Sequence, residues 1–102
     1  MKYLILGLLF SSSVIAKDVS CLAKKNLSEV WHKKTEVMLG AKVLFGSIDQ
    51  FKFYVKNIDD SRFELEVLDE NTPSRQYASG DGKEINWTLW SRKALIDFNC
   101  EH

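Results

Sequence analysis

The sequence predicts an all-β domain: an antiparallel meander curled into a small barrel or sandwich, closed by one disulfide, with one short helix favoured near the N-terminus. Three observations predict it. Apolar and polar residues alternate with a period of two through much of residues 35–99, the pattern of strands with one face buried. Clusters of Gly, Asp, Asn, Ser and Pro interrupt that alternation at close intervals. The only two cysteines, Cys21 and Cys100, flank the alternating region, one before it and one directly after it.

Residues 1–16 read as an export signal. Lys2 gives a positive start, Tyr3–Phe10 (YLILGLLF) is apolar, and Val14-Ile15-Ala16 suits a signal peptidase. The run is far short of the ~20 apolar residues of a spanning helix, so no stable membrane insertion is expected. Cleavage after Ala16 leaves residues 17–102 as a single β domain, secreted or periplasmic. Both cysteines stay in that domain, and in an oxidising compartment a Cys21–Cys100 disulfide is the default. It would close a loop of the 78 residues between them, worth roughly 4–4.5 kcal/mol in the chain-entropy model.

In residues 17–34, Ala23, Leu27, Val30 and Trp31 fall at helical spacing, which favours the short helix over a strand. Thr35, Val37 and Leu39 then form a strand that stops at Gly40, and Val43 and Phe45 resume the alternation. A tight hairpin around Gly40-Ala41-Lys42 is expected, since glycine accepts the positive φ of such turns. Phe51–Ile58 and Arg62–Glu70 make the clearest hairpin. Phe51, Phe53, Val55, Phe63, Leu65 and Val67 share one face only if the loop holds an odd number of residues. A three-residue Asp59-Asp60-Ser61 loop meets that condition, setting Lys56 opposite Glu64 and Val55 opposite Leu65. Glu64 and Glu66 are thereby assigned to solvent. Asn71-Thr72-Pro73 is a loop, residues 75–79 (RQYAS) a weak strand, and residues 79–83 (SGDGK) the strongest turn signal. Two strands follow, residues 84–90 and 94–99, joined by a basic turn at Ser91-Arg92-Lys93. The total is six or seven strands.

Composition excludes several functions. Lysine plus arginine and aspartate plus glutamate number 14 each, so no nucleic-acid partner is expected. The two histidines, His32 and His102, are poorly placed for a nucleophile's base, and there is no Gly-x-Ser-x-Gly elbow. His32 reads as an ordinary surface residue. No calcium-loop spacing and no zinc-ligand set is present, so no metal and no cofactor is expected, and the chain reads as non-enzymatic. The sequons at Asn26 and Asn86 matter only in a eukaryotic secretory pathway.

A binding surface remains. Trp87 aligns with Ile85 and Leu89 and is assigned to the core. Trp90 aligns with Asn86 and Thr88. It either lies exposed beside Arg92 and Lys93, a composition suited to a recognition hot spot, or covers a minor second core around Trp31. The partner-binding candidates are Ser79, Gly80, Trp90, Arg92 and Lys93, with a protein or glycan as partner.

The same residues resemble a family. Cys21 and Cys100 at the ends, Ser79-Gly80 in a turn, and Trp90-Ser91-Arg92-Lys93-Ala94 are similar to the pattern of C-type lysozyme inhibitors of bacterial envelopes. Those are small exported β-barrels with a Ser-Gly-x-x-Tyr loop and a Trp-x-Lys-Gly-x-x-Ala segment. Here Lys83 stands at the tyrosine position, Arg92 replaces the lysine, and no glycine follows it. The resemblance implies that Ser79 and Arg92 together plug the acidic cleft of a lysozyme-like hydrolase.

Overall fold

The structure, a computed structural model, describes residues 16–59, 62–80 and 82–102. Among these lie eight strands: β1 (Ala16–Lys25), β2 (Ser28–Met38), β3 (Lys42–Ile48), β4 (Phe51–Asn57), β5 (Phe63–Asp69), β6 (Ser74–Gly80), β7 (Glu84–Trp90) and β8 (Leu95–Glu101). They form two four-stranded antiparallel sheets, ordered β2-β1-β8-β7 and β3-β4-β5-β6, packed as a sandwich. The second sheet is a meander. The first joins the beginning and the end of the described residues through β1 and β8. The export signal expected over residues 1–16 lies, apart from Ala16, outside the described residues.

The disulfide is formed. Cys21 and Cys100 are directly opposite each other in the β1–β8 ladder, with Cα atoms 4.1 Å apart and both side chains fully buried. The helix expected in residues 17–34 is not: this region is the β1–β2 hairpin. Its turn is Asn26-Leu27, with φ of 53° and 69°, the two left-handed residues of a type I′ connection. Val19, Cys21 and Ala23 alternate into the core, and this period of two prevails over the helical stripe.

The β4–β5 hairpin has the expected register, with Val55 opposite Leu65 and Lys56 opposite Glu64; Asp60 and Ser61 of its loop lie outside the described residues. Glu66 corrects the expectation for the outer face. It is only 5 % exposed, flanked by Tyr54 and Tyr77 on neighbouring strands, and Lys42 Nζ lies 3.3 Å from its carboxylate. The tight hairpin expected at Gly40-Ala41-Lys42 is also corrected. Gly40 does take a positive φ of 78°, but β2 and β3 belong to different sheets. The segment crosses the sandwich edge, held by Gly40 N to Asn57 O (2.7 Å) and a parallel bridge between Leu39 and Asn57.

Between the sheets, Val19, Ala23, Ile96 and Phe98 meet Phe53, Val55, Phe63 and Leu65, all at most 2 % exposed. Burying each large side chain contributes about 1.5–3 kcal/mol relative to exposure. Trp87 is core, packed on Phe51 and Phe53 with its Nε1 donating to Gln76 Oε1 at 3.1 Å. Trp31 closes the opposite flank, edge-on to Phe53 and Phe98.

Candidate functional site

The sandwich has two poles. One gathers the turns at 26–27, 49–50, 70–73 and 91–94; the other gathers 39–41, 58–59, Arg62 and 82–83 with Ala16 and His102. The predicted partner-binding residues divide between them. Trp90, Arg92 and Lys93 lie at the first pole. Ser79 is exposed and Gly80 half-buried at the end of β6, paired beside Phe63 at the second. A seven-residue strand separates the two groups, about 20 Å at ordinary strand rise. The fold therefore brings Trp90, Arg92 and Lys93 together and does not bring Ser79 to Arg92.

The β7–β8 turn is knit by one hydroxyl. Ser91 Oγ donates to Ala94 O (3.0 Å) and accepts from the amides of Lys93 (3.3 Å) and Ala94 (3.1 Å), while Ser91 N donates to Ala94 O (3.0 Å). This leaves the side chains of Arg92 and Lys93 in solvent. Trp90, on the outer face of β7, is 79 % exposed. It does not cover a second core, and Trp31 lies on the far strand of the same sheet.

Beneath the turn, the sheets part into a cleft of about 430 Å³. Its apolar wall is Phe51, Leu89, Ala94 and Ile96, and its rim carries Asp49, Asp69, Arg92 and Lys93. The charges on the rim are unequally matched. Asp49 is paired with Lys25 at 2.7 Å, and Asp69 Oδ1 accepts the Asn71 amide at 3.0 Å. Among the described residues no ion pair involves Arg92 or Lys93. An apolar cleft bordered by two cations that make no ion pair among the described residues suits a group that is apolar on one side and anionic or polar on the other, and the exposed indole of Trp90 stands next to that rim on the outer face of β7.

A second surface was not anticipated from sequence. Across the outer face of β2-β1-β8-β7, Ser20 Oγ and His32 Nε2 are 2.8 Å apart, Thr88 donates to Asp97 (2.8 Å), and Asn99 pairs with Asn86. Two shallow depressions of about 260 and 280 Å³ share Leu22 and Asn99 there. The Ser20–His32 contact lies on a solvated strand face. The sequence signal for this face is the alternation of Asn86, Thr88 and Trp90. Among the described residues no group of three or more His, Cys, Asp or Glu could hold a metal ion, and no helix is long and apolar enough to cross a membrane. Comparison with protein-family models, curated proteins and solved structures returns no match.

Proposed function

We propose that this protein is an exported, non-enzymatic binding module that engages a protein or glycan partner through the Trp90–Lys93 turn and the cleft beneath it. The observation that carries this reading is the indole of Trp90, 79 % exposed beside two cations that make no ion pair among the described residues, on a rigid turn. Leaving so large an apolar surface in water is unfavourable, and aromatic and arginine side chains dominate binding energies. Export is supported by the apolar run Tyr3–Phe10 and by the buried Cys21–Cys100 disulfide, which suits an oxidising compartment.

Inhibition of a lysozyme-like hydrolase is the sharpest form of this reading. It rests on Arg92 and the Trp90 pole alone, since Ser79 stands at the other end of the sandwich. The test is a titration of isotopically labelled protein with a C-type lysozyme and, separately, with peptidoglycan fragments. Shift changes centred on residues 89–94 and on Asp49–Phe51 are expected, together with loss of binding in Trp90→Ala and of inhibition in Arg92→Glu. No response to either ligand would favour a structural or accessory role. Inhibition unchanged in Arg92→Glu would remove that residue from the site.

A further inference from the structure

The free edge of β7 has a phase that can be fixed from two separate contacts. Directly opposed Cys21 and Cys100 have Cα atoms 4.1 Å apart, the spacing of a non-hydrogen-bonded antiparallel pair. The amide and carbonyl of Cys100 therefore point away from β1, towards β7. At the other end of β8, Leu95 turns its backbone the opposite way: its carbonyl accepts from Asn26 N (2.8 Å) and its amide donates to Asn26 Oδ1 (3.0 Å). Cys100 and Leu95 are an odd number of residues apart, so both contacts give one phase. Ile96, Phe98 and Cys100 address β7, and Leu89, Trp87 and Ile85 answer them. The backbone groups of Glu84, Asn86, Thr88 and Trp90 then face outward, along a strand that is the last of its sheet among the described residues.

Edge strands are ordinarily defended by lysines, prolines or bulges. β2 has a bulge at Val30 together with Lys33 and Lys34, and β3 a bulge at Phe45 together with Lys42. β6 carries Arg75. β7 has none of these: its ladder is regular and it holds no Lys, Arg or Pro.

We propose that β7 pairs antiparallel with β7 of a second copy of this chain, about a two-fold axis through Trp87. In that register Asn86 opposes Thr88 and Glu84 opposes Trp90, so every outward backbone group is met. Ile85 opposes Leu89, and the two Trp87 residues face each other as a non-hydrogen-bonded pair, the closer kind of cross-strand neighbour. No like charges are opposed. The self-complementarity of this seven-residue strand is what selects a second copy as the occupant. One strand pair buries less than a standard interface, so the association is weak and concentration-dependent. It does not depend on the partner reading of the Trp90–Lys93 turn.

The test is sedimentation equilibrium of the oxidised protein from micromolar to millimolar concentration, with amide hydrogen exchange at both ends of the range. A dimer that grows with concentration is expected. The amides of Asn86, Thr88 and Trp90 should gain protection with it, while those of Ile85, Trp87 and Leu89 are protected throughout. Thr88→Pro removes an amide with no ladder partner among the described residues. It should keep the fold and weaken the dimer about thirtyfold, the loss of two symmetry-related hydrogen bonds of ordinary net strength. Thr88→Lys, a side-chain defence at the same exposed position, should also favour the monomer. A protein that stays monomeric at millimolar concentration would overturn the proposal. So would a dimer without protection at those three amides, or one equally tight in Thr88→Lys.

Discussion

The indole of Trp31 occupies the space that a side chain on Gly46 would need. A Cβ built on Gly46 would fall 2.6 Å from Cε2 and 2.8 Å from Cζ2 of that ring, closer than real carbon contacts. Gly46 follows the bulge at Phe45 on β3, and the indole is held there by Nε1 donating to Ser47 O at 3.1 Å. A rigid ring with its polar end bonded cannot swing aside. Gly46→Ala should therefore lower the unfolding free energy by about 1–3 kcal/mol through overpacking, measured by urea denaturation. Combining it with Trp31→Phe should recover part of the loss relative to the sum of the two single changes. Strict additivity would show that the contact is not what Gly46 serves.

Leu27 sits in left-handed backbone conformation, φ 69°, with its side chain 75 % exposed. Leucine gains nothing there from burial and carries the steric cost of a Cβ at positive φ, of order 1 kcal/mol. Leu27→Gly should therefore stabilise the protein by about 0.5–1 kcal/mol, the greater flexibility of glycine in the unfolded chain offsetting some of the relief. Thermal unfolding would read it as a raised midpoint. A lowered one would mean that the turn is not strained.

That turn also explains what the sequence concealed. Hairpins with two left-handed residues usually announce themselves with Asn-Gly or Asp-Gly; Asn26-Leu27 does not, and without a glycine the stripe of Ala23, Leu27, Val30 and Trp31 reads as a helix. The β4–β5 hairpin was legible because six alternating apolar side chains admit only one parity of register, which the ladder Val55–Leu65 and Lys56–Glu64 follows. Glu66 misled for a different reason. Alternation places it on the outer face correctly, but its burial comes from Lys42 and the tyrosines of adjacent strands, which is tertiary information. The split of the candidate site, by contrast, was within reach: the strand expected at residues 84–90 lies between Ser79 and Arg92, and one extended strand by itself carries the chain from one pole to the other.

Trp87 and Trp90 are three residues apart and should respond in opposite ways. Trp87 is 8 % exposed and packs on two phenylalanines, whereas Trp90 is 79 % exposed. Trp87→Ala should cost about 3–5 kcal/mol of stability. Trp90→Ala should change stability by no more than about 0.5 kcal/mol, so that any loss of partner binding in this variant is not a folding defect. A comparable destabilisation by the two substitutions would place Trp90 in the structural core and remove it from the binding surface.

Removing the covalent link between the chain's two ends should be costly because of what it joins. Cys21 and Cys100 tie β1 to β8, the first and last strands among the described residues, and both are fully buried. The paired Cys21→Ala and Cys100→Ala variant should lose about 2–4 kcal/mol, read from denaturant midpoints against the oxidised protein. The β1–β8 ladder should also lose amide protection before the β4–β5 hairpin does, since the latter closes locally. Uniform loss across both sheets would argue that the disulfide acts only on the unfolded chain.

Lys17 is a second tie, between β1 and the opposite sheet. The residue is 9 % exposed, and its ammonium donates to Asn57 Oδ1 (3.2 Å), to Arg62 O (3.0 Å) and to the carbonyl of Asp59. Asn57, itself 2 % exposed, passes the connection on by donating from Nδ2 to Val37 O at 3.0 Å. A methionine at position 17 would keep the apolar stem and remove the donors, leaving partly buried oxygens unpaired at about 1–3 kcal/mol each. Partial access to water at the loop carbonyls reduces that sum, so Lys17→Met should cost about 2–3 kcal/mol, with faster amide exchange on both sides of the β4–β5 loop. If stability were unchanged while exchange rose only at Ala16–Asp18, the ammonium would be decorating the loop and the loop's own hydrogen bonds would be holding it.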